Sequence, residues 1–176
     1  GKGANQAVAA AKAGGDVRMI GRVGDDAFAQ RLMGNLRDHQ VNCDAVSQTS
    51  NCASGLAIVA VEASGQNSIL IVAGANGRVS IADVEAFRHL IESADVLLLQ
   101  LEIPTACVLA AIHIADGAGV RCVLDPAPVA SDWNDELLQV DFICPNETEA
   151  SAITGLSVKS IGEAESAAKQ LQQRGA

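Results

Sequence analysis

The sequence predicts an α/β protein whose mostly parallel sheet is covered by helices on both faces. Two stretches, 95–100 (DVLLLQ) and 120–125 (VRCVLD), are apolar almost throughout, as strands buried on both sides are. Helical patterns alternate with them from residue 80 onward, which is the order that builds a parallel sheet. Composition agrees, because 49% of the residues are hydrophobic and only 2% aromatic, with 16 glycines. This favours a core packed from Ala, Val and Leu.

The first half of the chain predicts a helix, a strand, a helix and a β-hairpin. Gly14-Gly15 ends the first helix, and Asp26 is placed to cap the second. Two β-rich runs are joined by Ala63-Ser64-Gly65-Gln66-Asn67, which is typical of a hairpin. The predicted elements are helix 4–13, strand 17–22, helix 26–39 and strands 55–62 and 68–73.

The second half predicts a regular series of helices and strands. Ser80-x-x-Asp83 has the spacing of a capping box, and Pro104 suits the first turn of a helix. The predicted elements are helix 80–93, strand 95–100, helix 104–117, strand 120–125, helix 134–139, strand 141–144 and helices 146–154 and 160–174. The chain has no internal repeat or linker, and its length of 176 residues suits one domain.

Charge and cysteine usage exclude several classes of protein. The net charge is −9 and the chain has no Lys/Arg cluster, which argues against a nucleic-acid partner. The longest uncharged apolar run is far shorter than the ~20 residues of a membrane span. Five cysteines lie far apart, without a metal-ligand spacing, which indicates a reducing, cytoplasmic compartment. Cys107, Cys122 and Cys144 lie in apolar runs, so we expect them to pack as small hydrophobic residues.

Polar side chains follow three of the predicted strands. Glu102, Asp125 and Asn146 with Glu149 come at carboxyl ends of strands, where open parallel sheets bind ligands. A Gly-Lys-Gly-Ala-Asn-Gln loop at residues 1–6 supplies further polar groups with little bulk. Together these groups can line one crevice, and two carboxylates with an asparagine suit recognition of hydroxyl groups and a hydrated Mg²⁺.

Each of these signals also has a purely structural interpretation. Asn146 and Glu149 have the spacing of a capping box, and Glu102 can be a loop carboxylate favoured by the dipole of the helix after it. Asp125-Pro126-Ala127-Pro128 can be a rigid turn, and Gly24-Asp25-Asp26 a turn with an N-cap. The opening Gly-Lys-Gly is not a P-loop.

Six segments in this order resemble the PfkB-type carbohydrate kinases, and their ribokinase branch in particular. The resemblance covers nearly the whole chain. The segments are Gly1-Lys2-Gly3-Ala4-Asn5-Gln6-Ala7, Val23-Gly24-Asp25-Asp26, Ala73-Gly74-Ala75-Asn76, Leu99-Gln100-Leu101-Glu102, Asp125-Pro126-Ala127-Pro128 and Pro145-Asn146-Glu147-Thr148-Glu149.

The resemblance implies a ribokinase-like three-layer α/β sandwich with a β-lid, over residues 53–76, that covers the sugar. It implies ATP-dependent phosphorylation of a primary hydroxyl, with ribose as the expected sugar and ribose 5-phosphate as the product. By position, Lys2, Gly3, Asn5 and Glu102 would bind the sugar, Asn146 the ATP phosphates, and Glu149 a Mg²⁺ ion through water. It also implies a monovalent cation (K⁺) site and a homodimer formed through the lid.

The lid strands are apolar on both faces, which suits a covered lid and equally a buried core strand. Alternative functions are another PfkB-type sugar or nucleoside kinase and a non-catalytic sugar-binding module.

Two departures from the family pattern bear on activity. Ala29 stands where the family commonly has Gly, and the later G-A-G-D segment, which carries the catalytic aspartate, is absent. We therefore expect residues 1–176 to be a partial kinase domain without the family's N-terminal strand, with its catalytic base beyond Ala176. Since phosphoryl transfer depends on groups positioned around the phosphate, the segment alone should be inactive.

Overall fold

A computed structural model describes residues 1–61, 67–129 and 133–176 and divides them into two compact units. The first unit comprises Gly1–Asp83 and Glu102–Pro104, and the second comprises Val84–Leu101 and Thr105–Ala176. No helix within these described ranges has the length and apolarity needed to cross a membrane.

The first unit begins with two helices and a short parallel ribbon. The elements are α1 (Lys2–Lys12), β1 (Gly21–Val23), α2 (Ala27–Asp38) and β2 (Val46–Gln48), with Gly21 opposite Val46 in the β1–β2 pairing. Asp26 caps α2 by accepting a 3.0 Å hydrogen bond from the Ala29 N–H, which confirms the predicted start of that helix. The helices pack on a small apolar core whose buried members are Ala7, Leu36, Val41 and Cys43.

The predicted hairpin is present as β3 (Leu56–Val61) and β4 (Asn67–Val72), paired antiparallel. Its side chains are exposed on both faces: Leu56 and Ile58 are 44% and 49% exposed, and Val59 and Val61 on the other face are 55% and 69% exposed. The interpretation as a buried core strand is therefore wrong for this chain.

A 3₁₀ turn (Gly74–Arg78) follows the hairpin and leads into α3 (Ile81–Ala86). The predicted capping box is confirmed, because the Ser80 N–H donates to Asp83 Oδ2 (2.8 Å) and the Asp83 N–H donates to Ser80 Oγ (3.3 Å). Asp83 also accepts two hydrogen bonds from the guanidinium of Arg22 on β1, at 2.9 and 2.6 Å. This ion pair ties the start of α3 to the β1–β2 ribbon.

The second unit is a three-stranded parallel sheet with helices. Its elements are α4 (Arg88–Glu92), β5 (Val96–Gln100), α5 (Thr105–Ala118), β6 (Arg121–Asp125), a 3₁₀ turn (Asp135–Leu138), β7 (Phe142–Ile143), α6 (Glu147–Thr154) and α7 (Ile161–Arg174). The strand order is β5-β6-β7, and both pairings are parallel, as the alternating pattern predicts. Helix α5 contacts β5, β6 and α4. Its buried residues are Cys107, Val108, Ala111, Ile112, Ile114 and Ala115.

Several described elements differ from the sequence prediction. The strand expected over 17–22 is reduced to a bridge between Arg18 and Asn42, followed by β1. The helix expected over 80–93 divides at Phe87, whose N–H bonds to Val84, three residues back, as in a 3₁₀ turn. The helix expected over 134–139 is only the 3₁₀ turn named above. Strand β2 is an element that the sequence did not reveal.

The cysteines follow the prediction except at one position. Cys107 and Cys122 are buried, and burial raises the pKa of the Cys122 thiol to about 12. Cys144 is exposed, so its predicted role as a buried apolar residue is wrong. Its backbone continues the β6–β7 ladder, with its N–H donating to Leu124 O at 2.9 Å, and a residue at a strand end is readily left at the surface.

Candidate functional site

The Gly-Lys-Gly-Ala-Asn-Gln segment is the first turn of α1, not a loop in front of a helix. Lys2 is its first residue, and the first helical hydrogen bond runs from the Asn5 N–H to Gly1 O at 3.2 Å. The predicted start at residue 4 is wrong because Gly1 takes the N-cap position. Lys2, Gly3 and Asn5 are thus held at a helix N-terminus, where backbone N–H groups point out of the helix.

Glu102 supplies the cap that the first turn of α1 lacks. Gly1 has no side chain to cap the helix, and the first turn contains no acidic residue. The Lys2 N–H instead donates to Glu102 Oε2 at 2.7 Å, across 100 residues of sequence. The carboxylate is half-buried in the bend after β5. A negative charge at this position stabilises the helix through its dipole.

Gly1 suits this close approach. A Cβ atom at position 1 would overlap Oε2 of Glu102, so the end of that flexible side chain would have to shift. Glu102 therefore does lie at a helix N-terminus, as the dipole interpretation predicts. The predicted helix is wrong, since the carboxylate caps α1 and not α5. The bond to Lys2 engages one carboxylate oxygen, and a carboxylate has two that accept hydrogen bonds.

Chemically, this corner of the first unit combines donors and an acceptor in a small space. The helix N-terminus and the side chains of Lys2 and Asn5 are donors, and the Glu102 carboxylate is an acceptor. A hydroxyl group both donates and accepts, so this combination suits a ligand with several hydroxyls. Glycine at positions 1 and 3 allows such a ligand to approach the backbone closely.

The second cluster, in the second unit, is the N-terminus of α6. Both capping-box bonds are formed: the Glu149 N–H donates to Asn146 Oδ1 at 2.9 Å, and the Asn146 N–H donates to Glu149 Oε2 at 2.8 Å. The structural interpretation of this pair is thus confirmed. The box uses only one oxygen of Glu149 and only the amide oxygen of Asn146, so it is compatible with a further role for the pair.

Asp125 ends β6 directly opposite Gln100, the last residue of β5. After it the chain turns, with the Ala127 N–H donating to Asp125 O at 2.8 Å and a cis peptide bond between Ala127 and Pro128. The Leu101 N–H donates to Ala127 O at 3.0 Å, which joins this turn to the segment leaving β5. The chain thus turns at Asp125-Pro126-Ala127-Pro128, as the structural interpretation predicts, and the carboxyl ends of β5 and β6 lie side by side.

The structure therefore brings the predicted residues together in two separate groups. Lys2, Gly3, Asn5 and Glu102 meet at the N-terminus of α1, and Asn146 and Glu149 meet at the N-terminus of α6. A single crevice that contains both groups stays a prediction.

The sequence did not reveal that Asp25 and Asp26 reach across to residues 51–54. The Asn51 N–H donates to Asp25 Oδ2 at 2.6 Å, and the Ser54 N–H donates to Asp26 Oδ2 at 2.8 Å. The Ser54 hydroxyl, followed by its backbone N–H, holds the pKa of Asp26 below its usual value. From the sequence, the Gly24-Asp25-Asp26 motif predicted only a turn and an N-cap.

The described residues contain no group of three or more His, Cys, Asp or Glu side chains suited to hold a metal ion. Mg²⁺ commonly keeps several waters and uses one or two carboxylates together with substrate phosphates. Glu149, beside Asn146 at a helix N-terminus, fits that kind of site.

Comparison with known proteins identifies the family. The pfkB family carbohydrate kinase profile matches residues 1–176. The chain belongs to the pfkB family of carbohydrate kinases. This confirms the resemblance that the six sequence segments indicate.

The pfkB relatives include several sugar kinases. The ribokinase of Schizosaccharomyces pombe is 41% identical over 157 residues, covering 87% of this chain and 49% of the relative. A bifunctional ribokinase/ribose-5-phosphate isomerase A of Fructilactobacillus sanfranciscensis is 42% identical over 160 residues, covering 90% of this chain and 29% of the relative. The deoxyribokinase of Salmonella typhi is 37% identical over 176 residues, covering 99% and 58%. The chain thus spans between 29% and 58% of the length of these relatives.

Solved pfkB-type structures confirm the fold class. Arabidopsis thaliana ribokinase complexed with ribose and ATP has a TM-score of 0.91 at 33% identity, covering 99% of this chain and 57% of that one. Ribokinase from Giardia lamblia has a TM-score of 0.84 at 28% identity, covering 99% of this chain and 56% of that one. The predicted ribokinase-like α/β fold is correct.

Proposed function

We propose that this chain forms the sugar-binding and phosphate-proximal part of an ATP-dependent kinase that converts ribose to ribose 5-phosphate. The observation that carries the proposal is the 2.7 Å bond between the Lys2 N–H and Glu102, which places a carboxylate beside the Gly-Lys-Gly-Ala-Asn-Gln helix start. Support also comes from ribokinase relatives at 41% and 36% identity, and from a neighbour solved with ribose and ATP.

In the sugar site, each residue has a separate role in the proposal. Glu102 accepts a hydrogen bond from one sugar hydroxyl while it keeps α1 capped. Lys2 and Asn5 donate to other hydroxyls, and Gly3 lets the ring lie close to the helix backbone. A buried group that loses its hydrogen-bond partner costs about 1–3 kcal/mol, so losing one contact should weaken sugar binding about tenfold or more.

The N-terminus of α6 is the proposed phosphate and metal site. Asn146 contacts the ATP phosphates, and Glu149 holds waters of a Mg²⁺ ion. The capping box supports this assignment because it fixes both side chains at the positive end of a helix, which favours phosphate. When bound, Mg²⁺ neutralises the charge that develops on the phosphates.

Two further features of the proposed kinase are expected from the family resemblance. The base that takes the proton from the sugar hydroxyl is an aspartate in a G-A-G-D segment, which these 176 residues do not contain. A K⁺ ion is expected as well, and we assign no described residue to it.

Dimerisation through the hairpin and a cytoplasmic location are also part of the proposal. The apolar side chains exposed on both faces of β3 and β4 support a second copy as their cover. All five cysteines are free thiols, which suits a reducing compartment.

Deoxyribose is a second candidate substrate. The specific observation in its favour is the deoxyribokinase relative, which aligns over 99% of this chain at 37% identity. Ribose is preferred because ribokinases are more numerous among the similar proteins described above.

The test of the sugar site uses the full-length gene product and isothermal calorimetry with ribose. Glu102→Gln keeps an oxygen that can cap α1 but removes the charge, so ribose affinity should fall about tenfold while thermal stability changes little. Glu165→Gln, an exposed carboxylate on α7, is the control and should bind ribose like the wild type. Equal affinity of the Glu102 variant and the control would overturn the assignment.

A further inference from the structure

The Gly24-Asp25-Asp26 turn holds the start of the β3–β4 hairpin. We define the hairpin root as residues 51–55 and 73–75, which lead into β3 and out of β4. Asp25 accepts hydrogen bonds from the N–H groups of Asn51 (2.6 Å) and Cys52 (3.3 Å), and its own N–H donates to Cys52 O (3.0 Å). The turn before α2 is thus attached to the root along several residues.

Ser54 is the centre of this attachment and is only 4% exposed. Its N–H donates to Asp26 Oδ2 and its hydroxyl donates to Asp26 Oδ1, both at 2.8 Å. The same hydroxyl accepts a 3.0 Å hydrogen bond from the Gly24 N–H. Because Asp26 also caps α2 through Ala29, its carboxylate links the hairpin root to a 12-residue helix.

The other side of the root is fixed to the same segment. The Ala75 N–H donates to Ala53 O at 2.9 Å. Gly74 has a positive φ of 51°, and a Cβ atom there would lie 2.5 Å from Ala53 O. Glycine is therefore required at position 74 for conformation and for space. Both strands of the hairpin leave from one hydrogen-bonded root.

Beyond the root, the hairpin is more exposed than the buried Ser54. The apolar side chains of β3 and β4 whose burial is described are 44% to 69% exposed, so they contribute little packing that would orient the hairpin within the chain. Its direction therefore depends on the contacts at the root. Asp26 supplies the only carboxylate that joins the buried Ser54 to α2 among the described hydrogen bonds.

We propose that Asp26 is a positioning residue that, through Ser54, fixes the hairpin root and so sets how the hairpin covers the sugar. This role rests on the proposed function together with the family resemblance, which implies that the hairpin is a lid over the sugar. Asp26 acts through Ser54 and the root and is not assigned a contact with the sugar or with ATP.

Two variants of the full-length gene product test this role. Asp26→Ser keeps a side-chain oxygen to cap α2 but removes both acceptors of Ser54, and Ser54→Ala removes the hydroxyl alone. Asp135→Ser is the matched control, because it is the same exchange at an aspartate that accepts hydrogen bonds from Trp133 and Arg174, far from the hairpin in sequence.

Hydrogen exchange and steady-state kinetics are the two measurements. Amide exchange in Leu56–Val61, without ligand, should be faster in both Asp26→Ser and Ser54→Ala than in the wild type and in the control. The KM for ribose should rise by up to about tenfold in Asp26→Ser, because the lost bonds can lower the population of the ordered hairpin by no more than their own free energy. The change in kcat should be smaller. Ser54→Ala keeps the proposal testable if Asp26→Ser does not fold.

Unchanged exchange in β3, or an unchanged KM with only a lowered melting temperature as in the control, would overturn the proposal. Failure of the wild type to phosphorylate ribose would count against the proposed function instead. In that case the exchange measurement, which needs no substrate, still decides whether Asp26 fixes the root.

Discussion

The ion pair between Arg22 and Asp83 gives the prediction whose size follows most directly from the structure. The guanidinium binds both carboxylate oxygens, and the two side chains are only 23% and 16% exposed. Asp83 also accepts from the N–H and hydroxyl of Ser80 at 2.8 Å. The perturbation is Asp83→Asn, which keeps the size of the side chain and removes its charge.

The pKa of Asp83 sets the expected magnitude. The hydrogen bond from Arg22 is the main reason that this pKa falls from 3.8 to about 2. At about 1.36 kcal/mol per pKa unit, the ionised carboxylate contributes about 2 kcal/mol to the free energy of unfolding. Since the folded-state pKa is the lower one, this contribution is complete well above pH 4 and is lost as the pH falls towards 2.

Urea denaturation of wild type and Asp83→Asn at several pH values is the assay. The variant should be less stable by about 2 kcal/mol at pH 7, and about half of that difference should remain at pH 3. Asp16→Asn is the control, because the Asp16–Arg18 pair is 3.5 Å long with Asp16 82% exposed. Its effect should be below about 0.5 kcal/mol. A loss in Asp83→Asn that does not change between pH 7 and pH 3 would refute the electrostatic reasoning.

The α6 cap and the hairpin faces each give a further expected outcome. Glu149→Ala should lower the turnover of the full-length gene product more than it lowers stability. Glu163→Ala is the control, because Glu163 accepts a similar hydrogen bond from the Lys159 N–H (2.6 Å) at the start of α7. This second variant should lower stability alone. Equal kinetics in these two variants would show that Glu149 only caps its helix. Val59→Asp, on the exposed hairpin, should convert the proposed dimer into monomers in sedimentation experiments, and wild-type protein that is monomeric at micromolar concentration would contradict the dimer.

Local patterns in the sequence were sufficient for much of the fold. The Ser80/Asp83 and Asn146/Glu149 capping boxes were predicted because both partners of each hydrogen bond lie three residues apart. The apolar run before Gln100 was correctly predicted as a strand because hydrophobicity and length are properties of the segment itself. Its predicted burial on both faces is wrong in the described chain, where Val96 and Leu98 are 45% and 39% exposed.

Contacts between distant segments could not be predicted in the same way. The bond from Lys2 to Glu102 spans 100 residues, and Asp26 meets Ser54 across 28. No spacing in the sequence marks such pairs, because the fold decides which loops meet. For the same reason, Glu102 was expected to serve the helix that follows it and instead caps α1.

Family resemblance supplied part of what local patterns could not. It placed Glu102 and the Gly-Lys-Gly-Ala-Asn-Gln segment in one sugar site before any contact was known, and the structure brings these residues together. It gave no indication that Asp26 binds Ser54, because the serine at position 54 lies outside all six segments. The apolar residues on both faces of β3 likewise could not distinguish a buried strand from one that is exposed in the single chain.

The most direct test of the proposed kinase measures ADP formation by the full-length gene product in the presence of ATP and Mg²⁺. Ribose, deoxyribose and adenosine are compared as substrates, and NMR identifies the phosphorylated position of the product. The proposal predicts ribose-dependent ADP formation with the phosphate on the 5-hydroxyl, and a higher kcat/KM for ribose than for deoxyribose or adenosine. Turnover with adenosine but not ribose, or ribose binding without any ADP formation, would contradict it.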